Sequence, residues 1–183
     1  MTNYVATIVR ELEHAAELLP EGACDRLADA ILNADAIFVA GAGRSGLMMK
    51  AFAMRLMHLG LRAHVVGETV TPGISPGDLL VMGSGSGETR SLLGMLEKAH
   101  ALQATVAGLT IRQQSTLGSR ADLVVLLPAS PKDQSSGADL TIQPMGSLFE
   151  QMLLILLDAV ILRIMEMQAQ NSGTMYGKHA NLE

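Results

Sequence analysis

Read for the spacing of apolar and polar positions, the chain opens with two helical patterns, roughly Tyr4 to Leu19 and Ala23 to Asn33. Pro20 and Gly22 break them, as in a helix–turn–helix connection. Short apolar runs with strand character follow: Ala36 to Ala40, Ala63 to Val66, Asp78 to Met82, Thr105 to Leu109 and Asp122 to Leu127. Helical patterns lie between them, from Leu47 to Leu59, which Gly60 is placed to stop, and from Thr89 to Leu102. The stretch from Thr71 to Gly77 is rich in turn residues, and Pro128 to Asp139 reads as a polar loop. Five strands alternating with helices predict a parallel sheet covered on both faces.

Pro144-Met145-Gly146-Ser147 then leads into a long helix from about Leu148 to Gln168. It is apolar almost all round through Leu162, which fits burial in its own core on one side and against a partner chain on the other. A central helix within one monomer is the alternative. The tail from Asn171 to Glu183 is polar and is expected to be extended. The whole chain, 1–183, reads as one domain: N-terminal helices over 1–33, a parallel α/β core over 34–128, an interface helix over 144–170 and a tail over 171–183.

Composition narrows the partners. A chain of 183 residues is long enough to bury roughly 70% of the surface that it exposes when unfolded. Hydrophobic residues make up 49% and charged residues only 17%, which points to apolar surface hidden by self-association. A net charge of −5 and an aromatic content of 3% argue against a nucleic-acid partner. The single Cys24 excludes an intramolecular disulfide framework, fits a reducing cytoplasm and, with no close pair of histidines, leaves no structural metal site expected. The first residues lack the charged and apolar regions of a secretory signal. The apolar run Met152 to Leu157 falls far short of the ~20 residues needed to span a bilayer.

Two glycine-rich strand ends carry the chemistry. Gly83-Ser84-Gly85-Ser86-Gly87-Glu88-Thr89 follows an apolar strand and precedes a helix, a pattern suited to an anion. The glycines admit close backbone approach, and the hydroxyls of Ser84, Ser86 and Thr89 can bond phosphate oxygens. No lysine follows, so the Walker pattern is excluded and a small phosphorylated metabolite fits better than a nucleoside triphosphate. Gly41-Ala42-Gly43-Arg44-Ser45-Gly46 has the spacing of a dinucleotide fingerprint, and Glu68 stands where a ribose-binding acid would. Yet a dehydrogenase of this length has no room for a substrate domain, and the second loop would lack a purpose. In one parallel sheet both ends open at the same carboxyl edge, so Ser45 and the Ser84–Thr89 loop can face one pocket. Arg44 is the nearest cation there. As a mere surface arginine it would sit unfavourably against the helix dipole.

These segments resemble the sugar isomerase (SIS) domain, and within it the 6-phospho-3-hexuloisomerases. The likeness covers nearly the whole chain. It rests on Gly41–Gly46, Val66-Gly-Glu-Thr69 with Thr71-Pro72, Gly83–Thr89, Gln143-Pro-Met-Gly-Ser-Leu-Phe-Glu-Gln151 and His179-Ala-Asn-Leu-Glu183. The serine–threonine loop marks any SIS domain; the last two segments are more specific to the hexuloisomerases. The resemblance implies a flavodoxin-like, three-layer α/β/α fold with a five-stranded parallel sheet, a cofactor-free enzyme and a homotetramer with active sites near subunit contacts. The implied reaction interconverts D-arabino-hex-3-ulose 6-phosphate and fructose 6-phosphate, downstream of formaldehyde condensation with ribulose 5-phosphate. Ser45, Ser84, Gly85, Ser86, Gly87, Glu88 and Thr89 form the expected substrate-binding set.

Moving a carbonyl from C3 to C2 needs a proton taken from C2 and returned at C3 through a 2,3-enediol, which one carboxylate can do. The resemblance places that base on Glu150, at the start of an apolar helix. Ser147 and Glu150 also have capping-box spacing, so the competing reading is a helix-start acid. Glu88 and Glu68 are runners-up, although Glu88 beside a bound phosphate would repel it without an intervening cation. Arg44 or loop N–H groups can stabilise the enediolate oxygen. Fructose 6-phosphate closes to a furanose, so the reverse direction needs ring opening, for which His179 and His58 are the candidates. His58 also sits where a histidine complements a helix C-terminus. His14, His64 and His100 have no motif around them, and most of the 12 Met residues read as core filler. A non-catalytic sugar-phosphate sensor would normally bring a basic DNA-binding segment, which the chain lacks. An SIS isomerase for another sugar phosphate is the remaining alternative.

Overall fold

The computed structural model describes residues 2–130 and 141–182. Helices α1 (Tyr4–Glu17) and α2 (Ala23–Leu32) precede β1 (Ile37–Gly41), α3 (Gly43–Leu59), β2 (Ala63–Val65), β3 (Leu79–Gly83), α4 (Arg90–Ala101), β4 (Thr105–Thr110), α5 (Thr116–Arg120) and β5 (Leu123–Leu126). The long α6 (Ser147–Met167) and short α7 (Ser172–Tyr176) follow. The strands form one parallel sheet in the order β2-β1-β3-β4-β5.

Alternation along each strand divides the core in two. Ile37, Val39, Leu79 and Val81 join the apolar side chains of α2, α3 and α6 on one face. Phe38, Ala40, Leu80 and Met82 pack with Leu92 and Leu96 of α4 and Leu117 of α5 on the other. The result is the expected three-layer α/β/α sandwich. Helix α6 packs against α1, α2 and α3, burying Met152, Leu153, Leu156, Leu157, Val160 and Ile164. Each such side chain contributes about 1.5–3 kcal/mol by leaving water.

Four local expectations change. Helix α3 begins at Gly43 rather than Leu47, so Arg44, Ser45 and Gly46 form its first turn instead of a loop. Glycine is needed here because a Cβ on Gly46 would stand 2.7 Å from the Gly41 carbonyl oxygen. The tail is not wholly extended: Asn171 caps α7, its side chain accepting from the Gly173 and Thr174 amides while Thr174 reciprocates. The capping box at α6 is not formed. Gly146 is the N-cap, Ser147 Oγ donates to the Pro144 carbonyl at 2.7 Å, and the Glu150 carboxylate is engaged elsewhere. The five-residue α5, capped by Ser115, was not anticipated. Of the polar loop read over Pro128 to Asp139, 131–139 lies outside the described residues, as does Glu183 of the tail.

Candidate active site

The strand order reverses at β1 and β3, and Gly41 stands level with Gly83 at their carboxyl ends. Open parallel sheets bind ligands in the crevice at such a switch point. Both glycine segments therefore open at one edge, side by side.

From β1 the chain turns directly into α3, whose N-cap Ala42 offers no side-chain cap. The amides of the first turn, including those of Arg44 and Ser45, are thus left facing the crevice side of the helix end. From β3 it enters the second segment, where Ser84 Oγ and Thr89 Oγ1 lie 3.1 Å apart. The loop is pinned from behind by the 110–117 stretch. Gly85 O accepts from the Ile111 amide and Thr110 Oγ1, and Gly87 O accepts from the Leu117 amide. With its carbonyls turned away, the loop leaves the amides of Gly85, Ser86 and Thr89 without a hydrogen-bond partner among the described residues. Oriented free N–H groups beside hydroxyls make an anion cradle.

Glu88 does not point into that cradle. Its carboxylate accepts from the Thr116 amide at 2.6 Å and from Thr116 Oγ1 at 2.9 Å, joining the loop to the start of α5. This commitment removes the repulsion that a carboxylate would impose on a bound phosphate. The sequence contains no local signal for Thr116, which lies 28 positions away.

Helix α6 completes the site. A Cβ on Gly85 would meet the Phe149 ring at 3.1 Å, so the first turn of α6 lies directly on the loop. The next residue, Glu150, is buried, with its side chain 5% exposed, and its Oε2 stands 2.6 Å from Arg44 Nε. The contact is ionic rather than an aligned hydrogen bond, and Oε2 has no hydrogen-bond partner among the described residues. A buried carboxylate, charge-matched yet with a free lone pair, can take up a proton. Gln151 Oε1 is also buried without a hydrogen-bond partner among the described residues, an acceptor to which the sequence pattern assigns no role.

His179 is not part of this constellation within one chain. It stacks on His58 with ring centroids 5.3 Å apart, at the far end of α3. Arg44 and His58 are separated by 14 positions along that helix, about 21 Å at helical rise. Lys178 Nζ and Gln170 Nε2 both donate to the Leu59 carbonyl and hold the tail there. The two histidines line a cavity of about 410 Å³ with Arg55, Asp158 and Tyr176. Burial, with the Arg55 and His179 charges, pushes the His58 pKa below the ordinary histidine value. His58 lies in the last turn of α3, as its position implies, and is a buried ring in this pocket. Glu68 lies 3.7 Å from Lys50 and is half exposed, and His100 meets Asp122 at 3.1 Å. Among the described residues no group of three or more acidic, His or Cys side chains is placed to hold a metal, and no helix is long and apolar enough to cross a membrane.

The SIS domain family model matches residues 30–157, which include β1, α3, the whole sheet and the first half of α6. The chain belongs to the SIS domain family. It is 56% identical over 182 residues to a 3-hexulose-6-phosphate isomerase of Bacillus subtilis, covering 100% of this chain and 98% of that one. It is 41% identical to a 3-hexulose-6-phosphate isomerase of Mycobacterium gastri, covering 100% and 92%. Among solved structures, it superposes with a TM-score of 0.85 on a hypothetical protein of Methanococcus jannaschii, 32% identical and covered in full on both sides. A molecular function of 3-hexulose-6-phosphate isomerase has been inferred for that protein from its crystal structure.

Proposed function

We propose that the chain is a 3-hexulose-6-phosphate isomerase, interconverting D-arabino-hex-3-ulose 6-phosphate and D-fructose 6-phosphate through a 2,3-enediol. One observation carries this: 56% identity to the Bacillus subtilis isomerase across the full length of both chains. The site supplies the chemistry. The substrate phosphate lies in the cradle of Ser84, Gly85, Ser86, Gly87 and Thr89 with Ser45 and the α3 amides opposite, while Glu88 braces the loop. Glu150 takes the proton from C2 as the C3 carbonyl becomes the enediolate oxygen, which Arg44 stabilises. The O2 hydroxyl proton passes to O3 within the enediol, and the same carboxylic acid returns its proton to C3 as the carbonyl forms at C2. Base catalysis of this kind is worth roughly 10²–10⁴ in rate.

The assembly is a homotetramer in which the histidines come from a neighbouring subunit. On α3, Arg44, Leu47, Ala51, Met54 and His58 recur at three- and four-residue spacing, one helical face. Leu47 and Met54 on that face are exposed, as are Ile155 and Leu162 on the adjoining α6. A second copy packed antiparallel about a two-fold axis near Ala51 covers this stripe and exchanges the positions of Arg44 and His58. The partner's His58 and His179 then approach Arg44 and Glu150, where a ring nitrogen can open the fructose furanose.

The test is turnover. Purified protein, given the condensation product of formaldehyde and ribulose 5-phosphate, forms fructose 6-phosphate. Turnover restricted to aldose–ketose phosphate pairs would indicate another SIS isomerase, and binding without turnover a sensor.

A further inference from the structure

The segment before α6 is held by a residue 130 positions earlier in the chain. Glu11 of α1 accepts from Thr141 Oγ1 at 2.6 Å, from the Ile142 amide at 2.8 Å and from Gln143 Nε2 at 3.0 Å. Thr141 and Gln143 are buried, and Thr141 Oγ1 also accepts from the Gln143 amide at 3.0 Å. Immediately afterwards come two consecutive left-handed residues, Met145 at φ +59° and Gly146 at φ +79°. For methionine that conformation persists only where its surroundings enforce it. Gly146 is the N-cap of α6, and Glu150 lies in the first turn. Helix α1 itself packs on α6. The contacts therefore close a ring: α1, the Glu11 carboxylate, residues 141–143, the Met145–Gly146 turn, α6 and back to α1.

We propose that Glu11 is a positioning residue for the isomerisation: by gathering Thr141, Ile142 and Gln143 it fixes the turn from which α6 departs, and so sets where the Glu150 carboxylate meets the substrate carbons. This rests on Glu150 being the base. Gln143 is held by the clamp that aims Glu150. The cradle at 84–89 takes no part in the clamp, so binding and chemistry separate.

The experiment measures kcat and KM for fructose 6-phosphate in Glu11→Ala, Glu150→Gln and the double variant, with Thr141→Val and Thr141→Ser as a second pair. Displacements near 1 Å at a reacting group cost up to about a hundredfold. Glu11→Ala is expected to lose roughly ten- to a hundredfold in kcat with KM changed less than about threefold. Thr141→Val loses part of kcat and Thr141→Ser restores it, because the serine hydroxyl still donates to Glu11. Added to Glu150→Gln, Glu11→Ala costs nothing more, since the group that it aims is gone. The clamp is refuted if Glu11→Ala lowers the melting temperature but leaves kcat unchanged, if only KM moves, or if its loss multiplies in full upon that of Glu150→Gln. If Glu11→Ala does not fold, the Thr141 pair decides: equal kcat in valine and serine overturns the proposal. Turnover retained in Glu150→Gln removes the base assignment and the clamp's role with it, whereas loss there with wild-type kcat in Glu11→Ala removes the clamp alone.

Discussion

Gly46→Ala tests whether the tight junction of β1 and α3 is what holds the site. A methyl there stands 2.7 Å from the Gly41 carbonyl oxygen and 3.1 Å from its carbon. Both are backbone atoms of a central strand, so no side chain can swing aside. Restoring an ordinary contact of 3.4 Å requires a separation of roughly 0.7 Å between the strand end and the first turn of α3. Overpacking of this kind costs about 1–3 kcal/mol, and the better helix propensity of alanine returns up to ~1 kcal/mol. The net loss, up to about 3 kcal/mol, lowers the melting temperature by up to roughly 12 °C in a domain of this size. The same movement carries Arg44 and the Ser45 amide away from Glu150 and the cradle, so kcat/KM falls by about tenfold or more. Differential scanning calorimetry and a coupled fructose 6-phosphate assay read the two effects. A variant with unchanged melting temperature and kcat/KM would refute the claim that this close approach positions the site.

Other outcomes are specific to single features. Leu162→Glu is expected to leave the chain folded, since the side chain is 65% exposed in one chain and exposed substitutions stay within about 0.5 kcal/mol; sedimentation should show a smaller assembly than for the unaltered protein, and an unchanged sedimentation coefficient contradicts the proposed α3–α6 interface. Mixing Glu150→Gln and His179→Ala chains through a dissociation step should recover part of the lost turnover, because each supplies what the other lacks; no recovery argues against sites shared between subunits. Burial works against the Glu11 carboxylate, but the hydrogen bonds from Thr141, Ile142 and Gln143 outweigh it and hold its pKa below the ordinary value of 4.5. The unfolded chain therefore binds this proton more readily, the stabilisation is present above pH 4.5 and is lost as pH falls through the folded value. Urea titrations across that range should show a shallower acid loss in Glu11→Gln, and an identical slope contradicts it.

The layers of the fold were legible because apolar runs such as Ala36–Ala40 and Leu79–Met82 end abruptly in glycines, and both signals are local. The placement of the two glycine ends at one edge followed from the parallel topology. Sequence reading failed where a distant partner overrides local preference. Gly-Arg-Ser-Gly has loop propensity, yet it is helical because Gly41 and Gly46 must nest against each other. Ser147 and Glu150 have the spacing of a cap, but Arg44, more than a hundred positions earlier, contacts the carboxylate. The bonds of Glu88 to Thr116 and of Glu11 to Thr141 span 28 and 130 positions and leave no periodic trace. The pairing of His179 with His58 was hidden for the same reason: the tail docks through Lys178 and Gln170 onto one carbonyl at the end of α3.

The central claim is that the buried Glu150 carboxylate, beside Arg44 and the phosphate cradle, moves the proton between C2 and C3. Glu150→Gln keeps the shape and removes the base, so steady-state turnover of fructose 6-phosphate, paired with calorimetric titration of the same sugar phosphate, tests it most directly. The account predicts a fall in kcat of roughly 10²–10⁴ with affinity close to that of the unaltered protein. Turnover within about tenfold of the unaltered protein, well inside the loss expected for a missing base, would contradict it.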